Sequence, residues 1–379
     1  MIRLTCITGV VLLLSGISTP LLAENIPYFA RQYNVTCSTC HVTPPKLNAT
    51  GEDFRLDVYR MADREKKPTI PMAIWISGRG ERIADPEVDK IKNFINRVEV
   101  ISGGTFAADR FSYFIEWRTF SFERTGDGSL LDRSGRFEDI FLVADLGKID
   151  VTAGQFRQID QVDVSTRPGL SEPVALSASL PEYGEGSARV RSLRRFAPSA
   201  RSPAVRLTRT RPLDEAWNWT ASVSVPFPGE FSIPITRRAR TNASNELEIN
   251  PKGMVVESFI RSGLQSYGGH FFYRNSDRFL ANAVVTGSIR SIYWTAIAGL
   301  DRTPEQLHSR WSVEALYAPR QFAAFGARLE ERTSDGLSPA AVPYVNIHFP
   351  GTKYTLRLTL EHRFQKDRQG TFLEIATIF

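Results

Sequence analysis

The sequence predicts an all-β fold, a transmembrane β-barrel of about sixteen antiparallel strands preceded by a small irregular and helical segment. Three observations predict it. After Pro71 the chain breaks into short stretches that alternate at period two. In "KYTLRLTLEHRF" (353–364), Tyr354, Leu356, Leu358 and Leu360 share one face, while Lys353, Thr355, Arg357, Thr359 and Glu361 share the other. Charged residues stand in mid-strand on the polar face, Arg97 with Glu99 and Arg357 with Glu361. A β-sandwich also alternates, but its dry core does not accept such charges and a wet lumen does. Finally, no apolar run long enough for a spanning helix follows the N-terminus, and the chain ends on Phe379 with Leu373 and Ile375 on the same face, as terminal strands of outer-membrane barrels do.

The elements follow in order. Residues 1–23 read as a secretory signal, with Arg3 for charge, Ile7 to Leu14 as the apolar core and Ala23 at the cleavage position. Cys6 leaves with it, so the exported chain, beginning near Glu24, keeps Cys37 and Cys40 alone. Residues 24–70 form a small unit with one helix, from Thr50 or Gly51 to Met61. Thr50 followed by Asp53 serves as the N-cap, with Phe54, Val58 and Met61 at helical spacing. So short a unit buries too little surface alone and needs a wall supplied by the rest of the chain, the barrel of residues 71–379. Its strands are expected at 72–83, 93–106, 110–122, 136–146, 148–158, 203–211, 215–226, 253–262, 264–274, 279–288, 291–301, 309–318, 321–333, 340–350, 353–364 and 370–379. An even count puts the long connections 159–202 and 227–252 at one end and tight turns at 147–148, 319–320 and 351–352 at the other, the asymmetry of outer-membrane barrels.

A formal charge of +6 and the scatter of Arg and aromatic residues over period-two stretches exclude a nucleic-acid module. Residues 189–211 hold Arg189, Arg191, Arg194, Arg195, Arg201, Arg206, Arg209 and Arg211. They read either as a basic rim facing lipid phosphates or as inward partners for carboxylates. Asp85, Glu87 and Asp89 read as a solvated loop, with a divalent cation as the alternative. No serine-histidine-aspartate or paired-carboxylate motif stands out.

The chemistry lies in "CSTCH", Cys37 to His41. C-x-x-C-H is the pattern of c-type haem attachment: two thiols at a spacing that meets both vinyl groups, then an imidazole for the iron. A disulfide or half a zinc site are the alternatives, and zinc would need two further ligands that the chain lacks at suitable spacing. Candidates for the sixth iron position are Met61, close in sequence, and His348, inward by parity near the tight-turn end. Met72 shares the parity of Ile74 and Ile76 and faces lipid, His362 shares that of Leu358 and Leu360, His270 points inward, and His308 falls in a loop.

The run "FARQYNVTCSTCHVTPPKLNATGEDFRLDVYRM" (29–61) resembles the N-terminal haem segment of fused monohaem cytochrome-porins of the outer membrane, known from iron-oxidising bacteria. The shared features are the aromatic-Ala-Arg lead, C-x-x-C-H, Pro44 and Pro45, Leu47-Asn48, Gly51, Phe54 and Tyr59. The chain departs at Val58-Tyr59, where that family has an Asn-Gly pair before the aromatic residue. The resemblance implies one haem c on Cys37 and Cys40, with His41 as axial ligand. It also implies electron transfer, of the Fe(II):cytochrome c oxidoreductase type, from an external metal ion or small redox donor to a periplasmic cytochrome or other soluble carrier, in a protein embedded in outer-membrane lipid. Outward transfer to an external acceptor, and a diffusion porin whose haem segment plugs the pore, are the alternatives. One haem parked in the periplasm would lie far from an external donor across an apolar band about 25 Å tall, so the haem unit is expected inside the lumen.

Overall fold

The computed structural model describes residues 28–61, 71–84, 90–124, 130–132, 134–159, 167–171, 173–176, 201–227, 231, 233, 253–275, 278–302, 307–333, 338–350, 355–366 and 369–379. The expected signal, the acidic loop 85–89 and Arg189, Arg191, Arg194 and Arg195 lie outside the described residues.

Alternation closes the chain into a barrel. Its strands are β3 Met72–Ala84, β4 Lys90–Phe106, β5 Phe111–Arg124, β6 Leu130–Asp132, β7 Arg136–Asp145, β8 Asp150–Arg157, β9 Arg201–Pro212, β10 Asn218–Pro226 and β11 Met254–Ser262. They continue with β12 Gln265–Asn275, β13 Arg278–Ile289, β14 Ile292–Arg302, β15 Leu307–Arg320, β16 Ala323–Arg332, β17 Ala340–Pro350, β18 Thr355–Arg363 and β19 Gln369–Ile378. Each pairs antiparallel with its sequence neighbours, and β19 closes on β3, with Ile375 opposite Gly78. The short β6 and β7 are one interrupted strand, both paired with β5. At the interruption Gly135 N donates to Arg118 O at 2.7 Å. Among the described residues the barrel therefore has sixteen strands, on all sixteen expected spans, with ends displaced by three residues at most except where β6 begins six residues before the expected 136. His308, expected in a loop, lies inside β15 because that strand begins at Leu307.

The faces are inverted relative to a soluble protein. Along β15, His308, Arg310, Ser312 and Glu314 are buried inward while Leu307, Val313 and Tyr317 are exposed outward. Met72, Ile74, Leu360, Leu373, Ile375 and Phe379 add to the exposed apolar exterior. A continuous apolar exterior of this extent requires a lipid neighbour. The inward charges pair: Arg97 and Arg118 reach Glu99 at 3.0 and 3.2 Å, and Arg201 reaches Glu116, Glu138 and Asp139 at 3.3, 2.6 and 3.0 Å. Of the described members of the arginine run, Arg201 thus turns inward to carboxylates, Arg206 is buried, and Arg209 and Arg211 are exposed.

One long connection does not stay outside. From β8 the chain turns into the lumen, where Leu170 N and Ser171 N donate to the Glu361 carboxylate at 2.7 and 3.2 Å and Val174 N donates to Glu330 at 2.9 Å. Arg167 pairs with Glu314, and Asn282 Nδ2 donates to Ala175 O at 3.1 Å. Ile159, Ala175 and Leu176 cover an inward apolar patch of Val255, Phe259, Phe272, Leu280, Val284 and Ile297. The segment crosses from β8 to the wall formed by β13, β15, β16 and β18.

Candidate haem site

Residues 28–61 pack inside the barrel end that carries the short connections. They comprise α1 Tyr28–Tyr33, α2 Cys37–Cys40, the small hairpin of β1 His41–Thr43 and β2 Lys46–Leu47, and α3 Ala49–Leu56. The segment touches the wall on many sides. Arg31 Nη2 donates to Met72 O at 2.7 Å, Arg60 reaches Asp145 and Asp150 at 2.8 and 3.1 Å, and Asp53 pairs with Arg261. Val42 packs on Leu316, Ala318, Ala324 and Tyr344. Tyr59 stacks between Phe29 (5.0 Å) and Phe114 of β5 (5.1 Å). The wall is bare where α1 docks: a Cβ on Gly103 would lie 2.7 Å from Tyr28 Oη and 3.1 Å from Phe29.

The C-x-x-C-H turn is held by Asn48. Its Nδ2 donates to the carbonyls of Ser38 and Thr39, both at 3.1 Å, and its backbone N donates to Cys40 O at 2.9 Å. Its Oδ1 accepts from Gly51 N at 2.9 Å, so Asn48 is also the N-cap of α3. This replaces the expected Thr50 cap: the helix starts earlier because Asn48 is free to cap while anchored to the cysteine turn. Gly51 is required beside it, since a Cβ there would strike the Cys40 carbonyl. The helix also ends sooner than expected, at Leu56 rather than Met61. Val58 N donates to Arg55 O at 3.2 Å and Tyr59 N to Phe54 O at 2.8 Å, closing a Schellman motif. Val58 and Tyr59 adopt φ of 47° and 68°, so the left-handed turn that Asn-Gly would make is kept by residues poorly suited to it. α1 and α2 are further helical turns that the apolar spacing did not reveal, being too short to show a period.

The donor set suits a covalently bound haem. Cys37 and Cys40 are half-buried on one helical turn, and burial pushes both thiols up. His41 Nδ1 lies 3.2 Å from Pro45 O and donates to it, which fixes the tautomer that leaves Nε2 with its lone pair for a metal. Burial lowers the His41 pKa, favouring that neutral form. No group of three or more His, Cys, Asp or Glu arranged for a bare metal ion occurs among the described residues.

The structure separates the two candidates for the sixth position. Met61 packs against Ala30, Tyr33, Val35 and Phe54, an apolar environment that satisfies a methionine without a metal. His348 is 3 % exposed on the inner face of β17, toward the end where residues 28–61 dock. Met72 is exposed on the outer face, His362 Nδ1 lies 2.8 Å from Thr371 Oγ1, and His270 Nε2 lies 2.7 Å from Asn282 Nδ2. Above the segment, a cavity of about 130 Å³ is lined by Arg55 and Tyr59 and, on the wall, by Glu116, Asp139, Arg157 and Arg206.

Fold and face polarity define the class: a transmembrane β-barrel with an occupied lumen. No protein-family model matches the chain, and no curated protein matches it. Solved structures similar to it include Salmonella typhi OmpF in complex with daunomycin (10 % identity, TM-score 0.49, covering 81 % of this chain and 97 % of that one). Others are a mutant porin of Rh. blastica (9 %, 0.46, 81 % and 100 %) and a loop-deletion mutant of OmpT, an outer membrane protein of Vibrio cholerae (11 %, 0.41, 81 % and 99 %). The fold assignment rests on the strand pairing itself.

Proposed function

We propose that the protein is an outer-membrane electron-transfer protein carrying one haem c, bound through Cys37 and Cys40 with His41 as an axial ligand, in the mouth of the barrel. The observation that carries this reading is the prepared motif: two cysteines on one helical turn, followed by an imidazole whose Nδ1 is committed to Pro45 O. When bound, the haem supplies one-electron exchange. The chain's own residues do the rest. Asn48 holds the turn, the Nδ1–H bond orients the His41 ring, and the packing of Tyr59 on Phe114 and of Val42 on Leu316 limits water. Electrons then pass between an extracellular donor, ferrous iron being the candidate, and a periplasmic cytochrome at the short-turn mouth. The test uses purified full-length protein. An alkaline pyridine spectrum should show covalent haem, and the reduced haem band should be lost on adding a soluble cytochrome and regained with ferrous iron. Haem that exchanges with neither overturns the reading.

A second reading, a diffusion porin regulated by its N-terminal segment, is favoured by the charged inner wall. Large, persistent conductance in planar bilayers without redox exchange would support it.

A further inference from the structure

We propose that His348, a residue of the barrel wall, is the second axial ligand, so that the haem is held between the N-terminal segment and β17. This assignment rests on the haem reading above. The His348 Nε2 is buried with no hydrogen-bond partner among protein atoms, an unfavourable state for a polar group. A bare ring nitrogen is available to a partner that is not a protein atom; the other buried histidine with one, His270 at Nδ1, is tied through Nε2 to Asn282. The strand end that presents it is fixed: His348 N donates to Phe322 O at 2.8 Å, in the β15–β16 turn, and the residue faces Arg357 across the β17–β18 pair.

His41 comes to the same place. The neighbouring Val42 packs on Leu316, Ala318, Ala324 and Tyr344, and Tyr344 precedes His348 on the same inward face of β17. Met61 is held elsewhere. Its chain neighbour Arg60 is tied to Asp145 and Asp150 on the β7–β8 hairpin, and β18, β19, β3, β4 and β5 lie between that hairpin and β17.

The test is spectroscopic, on purified full-length haem-loaded protein. Wild type should be low-spin, lack the weak near-infrared sulfur-to-iron band, and give the electron paramagnetic resonance of two imidazoles. His348→Ala should lose that low-spin signal and regain it with added imidazole, while Met61→Ala leaves the spectrum unchanged. A sulfur-to-iron band in wild type, or a His348→Ala spectrum identical to wild type, overturns the assignment alone; the wild-type spectrum decides even if the variant fails to fold. Absence of covalent haem from wild type overturns the electron-transfer reading itself, and the assignment with it.

Discussion

Asn48 ties the cysteine turn to α3. One amide clamps two carbonyls of the cysteine turn and caps a helix, and its backbone N–H holds a third carbonyl. Removing the side chain leaves the Ser38 and Thr39 carbonyls and Gly51 N unserved. Loss of a cap alone costs about 1 kcal/mol. Asn48→Ala should therefore lower the haem content per protein, read from the alkaline pyridine spectrum, while the barrel's heat-modifiable migration stays as in wild type. Val58 offers the opposite case. It occupies the left-handed position of the Schellman motif with a β-branched side chain, where Gly or Asn is ordinarily found. Val58→Gly should stabilise the end of α3 by about 0.5–1 kcal/mol after the entropic cost of glycine. The measurement is slower hydrogen exchange of amides 53–61, and faster exchange would contradict the strain argument.

The strands were legible because a lipid-facing wall imposes period two on every span, and each of the sixteen repeats the rule. Cys37, Cys40 and His41 stand close enough in sequence for the C-x-x-C-H pattern to be read directly, and the fold adds that Asn48 holds their turn. Helix ends were not: Asn48 and Thr50 are both good caps, and the choice is made by the Ser38 and Thr39 carbonyls, which only the folded turn brings near. Nor does sequence order reveal docking. Gly103 and Gly104 read as weak points in a strand, yet they make the flat patch on which α1 lies, with Tyr28 and Phe29 over one and Gln32 near the other. Gly103→Trp should displace α1 without breaking β4, since the pairing of Gly103 with Phe114 is a backbone one. Limited proteolysis from the short-turn side should then cut within 28–61, and wild type should resist it. Resistance equal to wild type would show that Arg60 and Asp53 hold the segment without α1.

At the scale of the whole molecule the lumen is obstructed twice among the described residues, by residues 28–61 at the short-turn mouth and by residues 167–171 and 173–176 across its middle. The second was read from sequence as part of an outer loop. Its signals were present but indirect: Val255, Phe259, Leu280, Val284 and Ile297 are apolar at inward parity, and Glu330 and Glu361 are carboxylates needing donors. Hydrogen bonds to such charged acceptors contribute about 1.5–3 kcal/mol each, enough to hold a short segment against its own chain entropy. The two obstructions attach to different residues, so they act independently. Deleting residues 28–61 should consequently leave bilayer conductance low, because the inner segment still crosses the lumen. Adding Glu330→Gln and Glu361→Gln to that deletion weakens its anchors, and currents should become larger and fluctuate as the segment leaves and returns. Replacing residues 167–176 by a short Gly-Ser linker in the same background should give the steady conductance of an open barrel of this size. If deletion of 28–61 alone gave that steady conductance, the inner segment would not be a barrier, and the N-terminal segment would be the sole gate between the two sides of the membrane.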